Sequence, residues 1–524
     1  MSDPALSLAT LELKLRSLLP ADLYAAVWVE PEPHNLMKVF EHLRTLQRIL
    51  QDYTPRQVSD DPPCPGKISY RWQEGTLLFT DLAGFTPLLE ANAAVGQHGA
   101  TVLLNVLNGY FSEMIEIISK SGGDLLEFTG DAMLVQFLAD ASRGDLAQAV
   151  RAGLRMQRAM SNFANIETPQ GNFSLGMRVG IHAGRFLTAD IGTPIRMVHV
   201  LLGRSVRRAK RAEAAGQVGR VCLTMETGEH AIGGTTTRFL NEDFRLESLD
   251  QSYVLVKDDF TAEQLGEYDI TLTRRRHASA FLLDRSVAGL VSEIGEVLKR
   301  VEPLASYFPG SILNLLVENA AQRRIPPDFP TPAVVFINLK GLPEAVDGAS
   351  HQETEGVVAS FSRAFAAIDA AVQSRGGILQ KVTYHSVGSD FLIYFGVLGR
   401  HANDVMRAAD TALAIRDIVS KLEPPIVNNR PLEVTCRMGF TLGSVFAAEI
   451  GEARGRREFN ILGDPVNTAA RLMTYATPNQ ILLTKDVYEY IGDRYDCETL
   501  GEVALKGKSS SVPVFALTAE READ

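Results

Sequence analysis

Asp81 and Asp131 each lie within three residues of a glycine, Asp81 in the segment FTDLAGF at residues 79–85 and Asp131 at the end of FTGD at residues 128–131. Two carboxylates that converge on one point suit Mg²⁺ or Mn²⁺ carrying a nucleoside triphosphate. The backbone N–H groups of Gly84, Phe85 and Thr86 open toward a predicted helix and are suited to hold a phosphate. A single Asp-x-x-Gly is more typical of a turn or a helix N-cap, so the interpretation depends on the pair and its frame.

That frame is an internal duplication. GGDLLEFTGD at 122–131 corresponds to GGILQKVT at 376–383, FTDLAGF at 79–85 to FINLKGL at 336–342, and GRSVRRAKR at 203–211 to GDPVNTAAR at 463–471. The three pairs are offset by 254, 257 and 260 residues. Three anchors at nearly one offset indicate two copies of one domain.

The two copies divide the chemistry between them. The carboxylates are in the first copy, whereas Lys381 and the pair Asn467 and Arg471 are in the second. Asn467 and Arg471 are four residues apart and therefore lie on one face of a predicted helix. Because each copy lacks what the other keeps, the sequence predicts one composite active site across the interface of two similar domains.

The order of predicted elements is the same in both copies. A short apolar strand is followed by a long helix with an apolar stripe, then a hairpin, a second helix (residues 147–163 and 404–422) and a strand pair (residues 177–187 and 435–448). The order β-α-β-β-α-β predicts an α+β fold of two ferredoxin-like units, each with both helices on one face of an antiparallel sheet.

Composition and Pro-rich breaks indicate four segments. We expect an N-terminal helical segment at 1–66, a first domain at 67–260, a helical linker at 261–325 and a second domain at 326–520. The N-terminal helices either dock on a partner or cap the exposed sheet of the first domain. The net charge of -11 argues against nucleic-acid binding. With no apolar run of 18 residues, we expect no membrane span and a cytoplasmic location.

The motifs at 79–86, 128–131 and 463–471 resemble the signatures of class III nucleotidyl cyclases. The asymmetric tandem most resembles the soluble, bicarbonate-responsive adenylyl cyclases, over about residues 70 to 520. The resemblance implies conversion of ATP to 3′,5′-cyclic AMP and pyrophosphate. It also implies two domains packed head to tail around a pseudo-twofold axis within one chain, which would need no second copy.

The resemblance assigns roles residue by residue. Asp81, Asp131 and the carbonyl of Leu82 match the ligands of two divalent metal ions, Mg²⁺ or Mn²⁺. Asn467 matches the residue that orients the ribose, and Arg471 the arginine that meets charge developing on the α-phosphate. Lys506 matches a lysine that binds the terminal phosphates, although a surface turn lysine is an equally good interpretation of that residue.

Base selection falls to Lys381 and Asn460 in this alignment. Lys381 matches the purine-reading lysine and can donate to adenine N1. Asn460 occupies the partner position, where adenylyl cyclases usually have Asp, Thr or Ser. Its amide can accept from the adenine amino group or donate to guanine O6, so guanylate cyclase activity is the alternative. A catalytically inactive, nucleotide-sensing protein is a further alternative.

The mirror-image site is degenerate in sequence. Glu127 stands where the second copy has Lys381, Arg207 stands in place of Asn467, and Asn338 stands in place of Asp81. Asp390 follows an insertion and is interpreted as a turn residue. In the bicarbonate-responsive branch this pocket holds the anion with a lysine and an arginine. Because Glu127 removes the lysine and adds negative charge, the sequence predicts weak or absent activation by bicarbonate.

Overall fold

The computed structural model describes residues 8–139, 145–225, 244–266, 284–322, 324–384, 387–452, 455–505 and 511–521. Within the described residues, four helices with defined bounds precede the first sheet. The longest of them starts with proline at its first turn, a position that needs no N–H donor, and buries an apolar stripe through Leu36, Phe40 and Leu43. The four are α1 (Glu12–Arg16), α2 (Ala21–Val29), α3 (Pro33–Tyr53) and α4 (Arg56–Asp60).

The first copy alternates strands and helices as the sequence predicts. Its elements are β1 (Ser69–Ala83), α5 (Phe85–Ala93), α6 (Gln97–Lys120), β2 (Asp124–Thr129), β3 (Ala132–Leu138), α7 (Asp145–Ala159), β4 (Ile166–Thr168), β5 (Gly171–Phe173), β6 (Gly176–Thr193), β7 (Arg196–Leu202), α8 (Arg204–Ala215), β8 (Val221–Thr224), β9 (Leu246–Ser248) and β10 (Tyr253–Val256).

Two helices lead into the second copy, which repeats the pattern of the first. The elements are α9 (Val287–Ala305), α10 (Gly310–Glu318), β11 (Ala333–Lys340), α11 (Leu342–Ala345), α12 (His351–Ser374), β12 (Ile378–Tyr384), β13 (Ser389–Phe395), α13 (Asp404–Ser420), β14 (Ile426–Val427), β15 (Arg430–Pro431), β16 (Thr435–Leu442), β17 (Phe446–Gly451), β18 (Arg457–Leu462), α14 (Asp464–Tyr475), β19 (Ile481–Thr484), α15 (Lys485–Ile491), β20 (Tyr495–Val503) and β21 (Val512–Glu520).

The central strand orders are those of a ferredoxin-like unit. The first sheet runs β2-β3-β1-β6 and the second runs β12-β13-β11-β16, with antiparallel neighbours throughout. The predicted α+β class with two ferredoxin-like units is therefore confirmed. Within the described ranges, no helix is long and apolar enough to cross a bilayer.

Each sheet also extends beyond the predicted antiparallel core. Strand β8 lies parallel to β6, and β19 lies parallel to β16. The cause is a helical crossover, through α8 in one copy and α14 in the other, because parallel neighbours require such a connection. A strand pair predicted at 177–187 is instead one strand, β6, of 18 residues, which pairs along the whole of β1.

The two copies exchange arms. The β6–β7 arm of the first copy contributes Leu187, Ile191 and Val200 to the core cluster of the second copy. The β17–β18 arm of the second copy contributes Phe446 and Leu462 to the core cluster of the first. This reciprocal packing confirms the predicted head-to-tail pair with its pseudo-twofold relation, and it occurs within one chain.

The N-terminal helices pack on the second copy. One apolar cluster joins α3 and α9 through residues such as Leu43, Leu46 and Ile294, and it continues onto Val334 and Tyr394 of the second sheet. The described helices therefore cover the second sheet, a position that neither of the two alternatives open from the sequence had named. The physical reason is the alternation along β11 and β13, which leaves Val334 and Tyr394 on the face that α12 does not cover.

Candidate active site

The carboxylate side of the site is built on β1 and the β2–β3 hairpin. Asp81 lies two residues before the end of β1, and Asp131 lies in the two-residue turn between β2 and β3. The turn contains Gly130 with φ of 70°, a conformation that tight hairpin turns favour and that glycine adopts without strain. The hydroxyl oxygen of Thr80 accepts from Met133 N at 3.1 Å, which ties the hairpin to the strand that carries Asp81.

The loop after Asp81 also depends on a glycine. Gly84 caps the N-terminus of α5 with φ of 87°, and an added Cβ would collide with the carbonyl oxygen of Ser174. Phe85 is buried beneath this turn, whereas Thr86 is exposed at the start of the helix. The free N–H groups of the first helical turn are therefore presented close to Asp81.

The two carboxylates interact with each other. Burial, together with the neighbouring Asp81 carboxylate, raises the pKa of Asp131 to about 7. Arg178 donates to Asp81 and also pairs with Glu213 at 2.9 Å, so it compensates only part of the negative charge. A divalent cation would relieve this repulsion, and the residues present fit such an ion.

The ligand set for a metal is small. Among the described residues, no three His, Cys, Asp or Glu side chains gather closely enough to hold an ion. The side chains described here are therefore two carboxylates, and the carbonyl of Leu82 stays a predicted ligand. The remaining ligands would be phosphate oxygens and water, as is usual for Mg²⁺ bound with a nucleotide.

The opposite side of the site is helix α14 of the second copy. Asn467 and Arg471 lie one turn apart on this helix, Asn467 exposed and Arg471 half-buried. Gly439 of β16 allows the close packing of α14, because an added Cβ would overlap the carbonyl oxygen of Ala469. Arg471 forms no ion pair with any residue that the structure describes, so its guanidinium is available for a ligand.

Two contacts bring the sides together. Lys381 donates to the carbonyl of Phe128 in the first copy and pairs with Glu458 at 2.9 Å. Asn460 Nδ2 donates to the carbonyl of Gly130 at 3.5 Å. The hairpin that carries Asp131 is thus held against β18, the strand that leads directly into α14.

Asn460 is more constrained than its predicted role suggests. It is 1% exposed, and its Oδ1 accepts from Gln380 Nε2 at 3.2 Å and from Ile461 N at 3.0 Å. Both lone pairs of the amide oxygen are therefore occupied. To accept the expected hydrogen bond from an adenine amino group, this oxygen would have to lose its hydrogen bond from Gln380. Lys506, the predicted phosphate-binding lysine, lies outside the described residues.

The degenerate site has a different polar network. Burial raises the pKa of Glu127 to about 7, although the positive charge of Lys381 opposes the shift. Asn338 donates to Asp390 Oδ1 at 2.8 Å and accepts from Arg437 Nε at 3.1 Å. The interpretation of Asp390 as a turn residue is wrong, because it is buried in β13 opposite Asn338.

Sequence reasoning missed two arginines at the domain interface. Arg196 and Arg456 each donate to main-chain carbonyls of the other copy. Both precede the glycine of the duplicated motif, Gly203 or Gly463, by seven residues. Their shared position within the repeat was a signal that could have identified them.

Comparisons with known proteins agree with this geometry. The chain matches the adenylate and guanylate cyclase catalytic domain family over residues 68–265 and again over residues 328–518. Adenylate cyclase type 10 of Oryctolagus cuniculus is 23% identical over 496 residues, which cover 93% of this chain and 28% of that protein. The Homo sapiens adenylate cyclase type 10 is 24% identical over 452 residues, which cover 84% and 26%.

The fold has a counterpart among solved structures along most of its length. A class III adenylyl cyclase-like ATP-binding protein from Pseudomonas aeruginosa superimposes with a TM-score of 0.54 at 12% identity. The superposition covers 86% of this chain and 92% of that one. At this identity the likeness concerns the tandem fold alone.

Two ferredoxin-like domains that exchange arms define a tandem of class III cyclase domains. The chain belongs to the adenylate and guanylate cyclase catalytic domain family, because the family's pattern covers both copies. It spans less than a third of the length of its type 10 relatives, 28% and 26% in the two cases.

Proposed function

We propose that the chain is an adenylate cyclase that converts ATP to 3′,5′-cyclic AMP and pyrophosphate at one composite site between its two copies. The observation that carries the proposal is the contact of Lys381 with the carbonyl of Phe128, because it joins the base-reading side to the carboxylate hairpin. Family membership and the relatives described as adenylate cyclase type 10 support the same reaction.

In this proposal the first copy binds the triphosphate. The carboxylates of Asp81 and Asp131 with the carbonyl of Leu82 would hold two Mg²⁺ or Mn²⁺ ions, which when bound acidify the ribose 3′-hydroxyl and neutralise phosphate charge. The N–H groups of Gly84, Phe85 and Thr86 donate to phosphate oxygens at the start of α5, where the helix dipole favours an anion.

The second copy supplies the remaining functions. Asn467 orients the ribose so that its 3′-oxygen is in line with the α-phosphate. Arg471, one helical turn away, stabilises the negative charge that develops there. Lys506 would bind the terminal phosphates. Because Asn467 and Arg471 are already fixed on a helix before ATP arrives, little reorganisation of these two groups is needed during the reaction.

Base choice follows from Lys381, whose ammonium group can donate to the unprotonated N1 of adenine. Guanine carries a proton at N1 and offers no acceptor there. The second candidate is a guanylate cyclase, and the hydrogen bonds of Asn460 favour it. With its oxygen occupied, Asn460 can offer only an N–H group, which suits guanine O6 better than the adenine amino group.

A direct assay separates the candidates. The purified chain is incubated with ATP or GTP and with Mg²⁺ or Mn²⁺, and cyclic nucleotide and pyrophosphate are quantified by liquid chromatography and mass spectrometry. We expect cyclic AMP with equimolar pyrophosphate. Cyclic GMP in excess of cyclic AMP would support the second candidate. Binding of Mn²⁺–ATP without any cyclic product would overturn both and indicate a nucleotide-sensing protein.

A further inference from the structure

Lys381 owes its orientation to a one-residue irregularity in its strand. The pairing of β12 with β13 is regular up to Leu379 and resumes at Lys381, so Gln380 is an extra, bulged residue. Side chains alternate between the faces of a strand, and one inserted residue therefore reverses the face to which the next side chain points. Without this bulge, Lys381 would point away from the hairpin that carries Asp131.

A buried arginine of the other copy holds the bulge. Arg196 Nη2 lies 3.2 Å from the carbonyl oxygen of Leu379 and 3.4 Å from that of Gln380. Its Nη1 donates to the carbonyl of Tyr307 at 2.6 Å, and its Nε lies 3.7 Å from Asp369 Oδ1. Its Nη1 also donates to the carbonyl of Met197 at 2.9 Å, so the planar guanidinium contacts four carbonyls and one carboxylate.

Strand β18 also holds this bulge. Gln380 Nε2 donates to the carbonyl of Phe459 at 2.6 Å and to Asn460 Oδ1 at 3.2 Å. Gln380 is therefore held at two points. Its side chain donates to β18, and its main-chain carbonyl accepts from Arg196. Asn460, in this arrangement, contributes to the position of Lys381.

We propose that Arg196 is a positioning residue for Lys381: it fixes the β12 bulge across the domain interface and so sets base recognition. The inference rests on the proposed function, in which Lys381 reads the purine. Arg196 is only 2% exposed, and burial lowers its pKa to about 10. A charge this deeply buried is costly unless its hydrogen bonds are made, and two of the four described here go to the backbone beside Lys381, at Leu379 and Gln380.

The duplication supplies a matched control. Arg456 makes equivalent contacts in the other direction, with Leu125 O at 3.2 Å, Leu126 O at 3.0 Å and Tyr53 O at 2.6 Å. Leu126 is the bulged residue of β2, and the bulge presents Glu127. Arg456 therefore stabilises the interface as Arg196 does, but at the strand that carries Glu127.

The experiment compares Arg196→Lys with Arg456→Lys. Lysine keeps the charge, including that of Arg456 at 3.9 Å from Glu458, but cannot contact several carbonyls in one plane. For each variant, KM and kcat are measured with ATP and GTP, together with the melting temperature. We expect Arg196→Lys to raise the KM for ATP roughly tenfold and to lower the ATP:GTP preference about as much, with kcat within about threefold.

Arg456→Lys should lower the melting temperature about as much as Arg196→Lys does. It should leave the base preference within about twofold of that of the wild type. Equal shifts in base preference for both variants, or a fall in kcat alone for Arg196→Lys, would overturn the inference. Gln380→Ala is the second variant, because it loosens the same bulge without leaving a charge unpaired. It should raise the KM for ATP in the same direction.

Failure of the proposed function is distinguishable from failure of the inference. If the wild type forms no cyclic product, the proposed function fails, and binding of non-cyclisable ATP and GTP analogues is then measured by calorimetry. We expect Arg196→Lys to weaken binding of the ATP analogue roughly tenfold and that of the GTP analogue much less. Unchanged discrimination between the two analogues would overturn the inference.

Discussion

Lys381 donates a hydrogen bond to the main-chain carbonyl of Phe128, although 253 residues separate them in the sequence. Phe128 stands at the end of β2, three residues before Asp131, so a cation of the second copy touches the hairpin that carries a carboxylate of the first. The two halves of the chemistry are thereby fixed relative to each other within one chain.

Asp81→Ala should abolish turnover while leaving the fold intact. The change removes one of two carboxylates available for metal, and loss of several kcal/mol of charge stabilisation corresponds to a rate loss of at least about 10². The fold should persist because Asp81 is partly exposed and Arg178 keeps its ion pair with Glu213. Cyclase rates and far-ultraviolet circular dichroism check both statements.

A matched control for this variant is Asp390→Asn, which changes a buried carboxylate of the degenerate site. Its partner Asn338 would retain an acceptor, so turnover should remain close to that of the wild type. Comparable losses in both variants would place the reaction elsewhere than at the Asp81 side.

Arg471→Ala should lower kcat by about 10² to 10³ with little change in KM, because the guanidinium acts on charge that develops only in the transition state. Arg211 is the corresponding residue of the first copy and is exposed on α8. Arg211→Ala should leave kcat within about twofold of that of the wild type. Steady-state kinetics with ATP measure both. A large rise in KM with unchanged kcat for Arg471→Ala would contradict the assigned role.

The fold could be predicted largely because its signals are local and occur twice. The apolar stripe of α6, the glycines after it and the motif at 463–471 each specify an element without reference to the rest of the chain. The parallel strands β8 and β19 were missed, since short apolar runs of four residues carry no sign of their pairing partner.

In the candidate site, too, features with a local sequence signal could be predicted and features that depend on strand pairing could not. Asp81, Asn467 and Arg471 could be placed because motif spacing and helical periodicity position them. The bulges at Leu126 and Gln380 could not be predicted. A bulge arises from the pairing of two strands, and the sequence of either strand alone does not indicate it. For the same reason the hydrogen bonds that occupy the oxygen of Asn460 were not predictable.

Lys381→Ala should mainly raise the KM for ATP, by about tenfold, and reduce the preference for ATP over GTP. The lysine is assigned to the purine and is held by the carbonyl of Phe128 and by Glu458, so its loss affects binding more than bond formation. Initial rates over a range of both nucleotides give the ratio of kcat/KM values. An unchanged ratio would mean that Lys381 takes no part in base choice.

Bicarbonate should leave the cyclase rate unchanged. In the degenerate site Glu127 already places a carboxylate where an anion would have to bind, and a second negative charge in a buried pocket is repelled. The rate is compared at a single pH above 7, where Glu127 is ionised, and at constant ionic strength with chloride replaced by bicarbonate. Saturable activation under these conditions would show that another cation, such as Lys210 or Arg207, compensates for Glu127.

Glu127→Gln should stabilise the protein, and more so at high pH. Burial raises the pKa of Glu127 to about 7, above its ordinary value of 4.5, so the folded state favours the protonated form. Below pH 4.5 the side chain is protonated in both folded and unfolded states, and the variant gains little there. Between pH 4.5 and 7 the wild type increasingly bears the cost of a buried charge, and above pH 7 this cost is complete.

The difference in melting temperature between Glu127→Gln and the wild type should therefore grow from pH 5 to pH 7.5 and then level off. Glu423→Gln, at an exposed position just beyond α13, is the control and should show no such trend. A difference that shrinks as the pH rises would mean that Glu127 is stabilised as an anion by Lys381 and Lys210. The charge of Glu127 would then support the domain interface instead of weakening it.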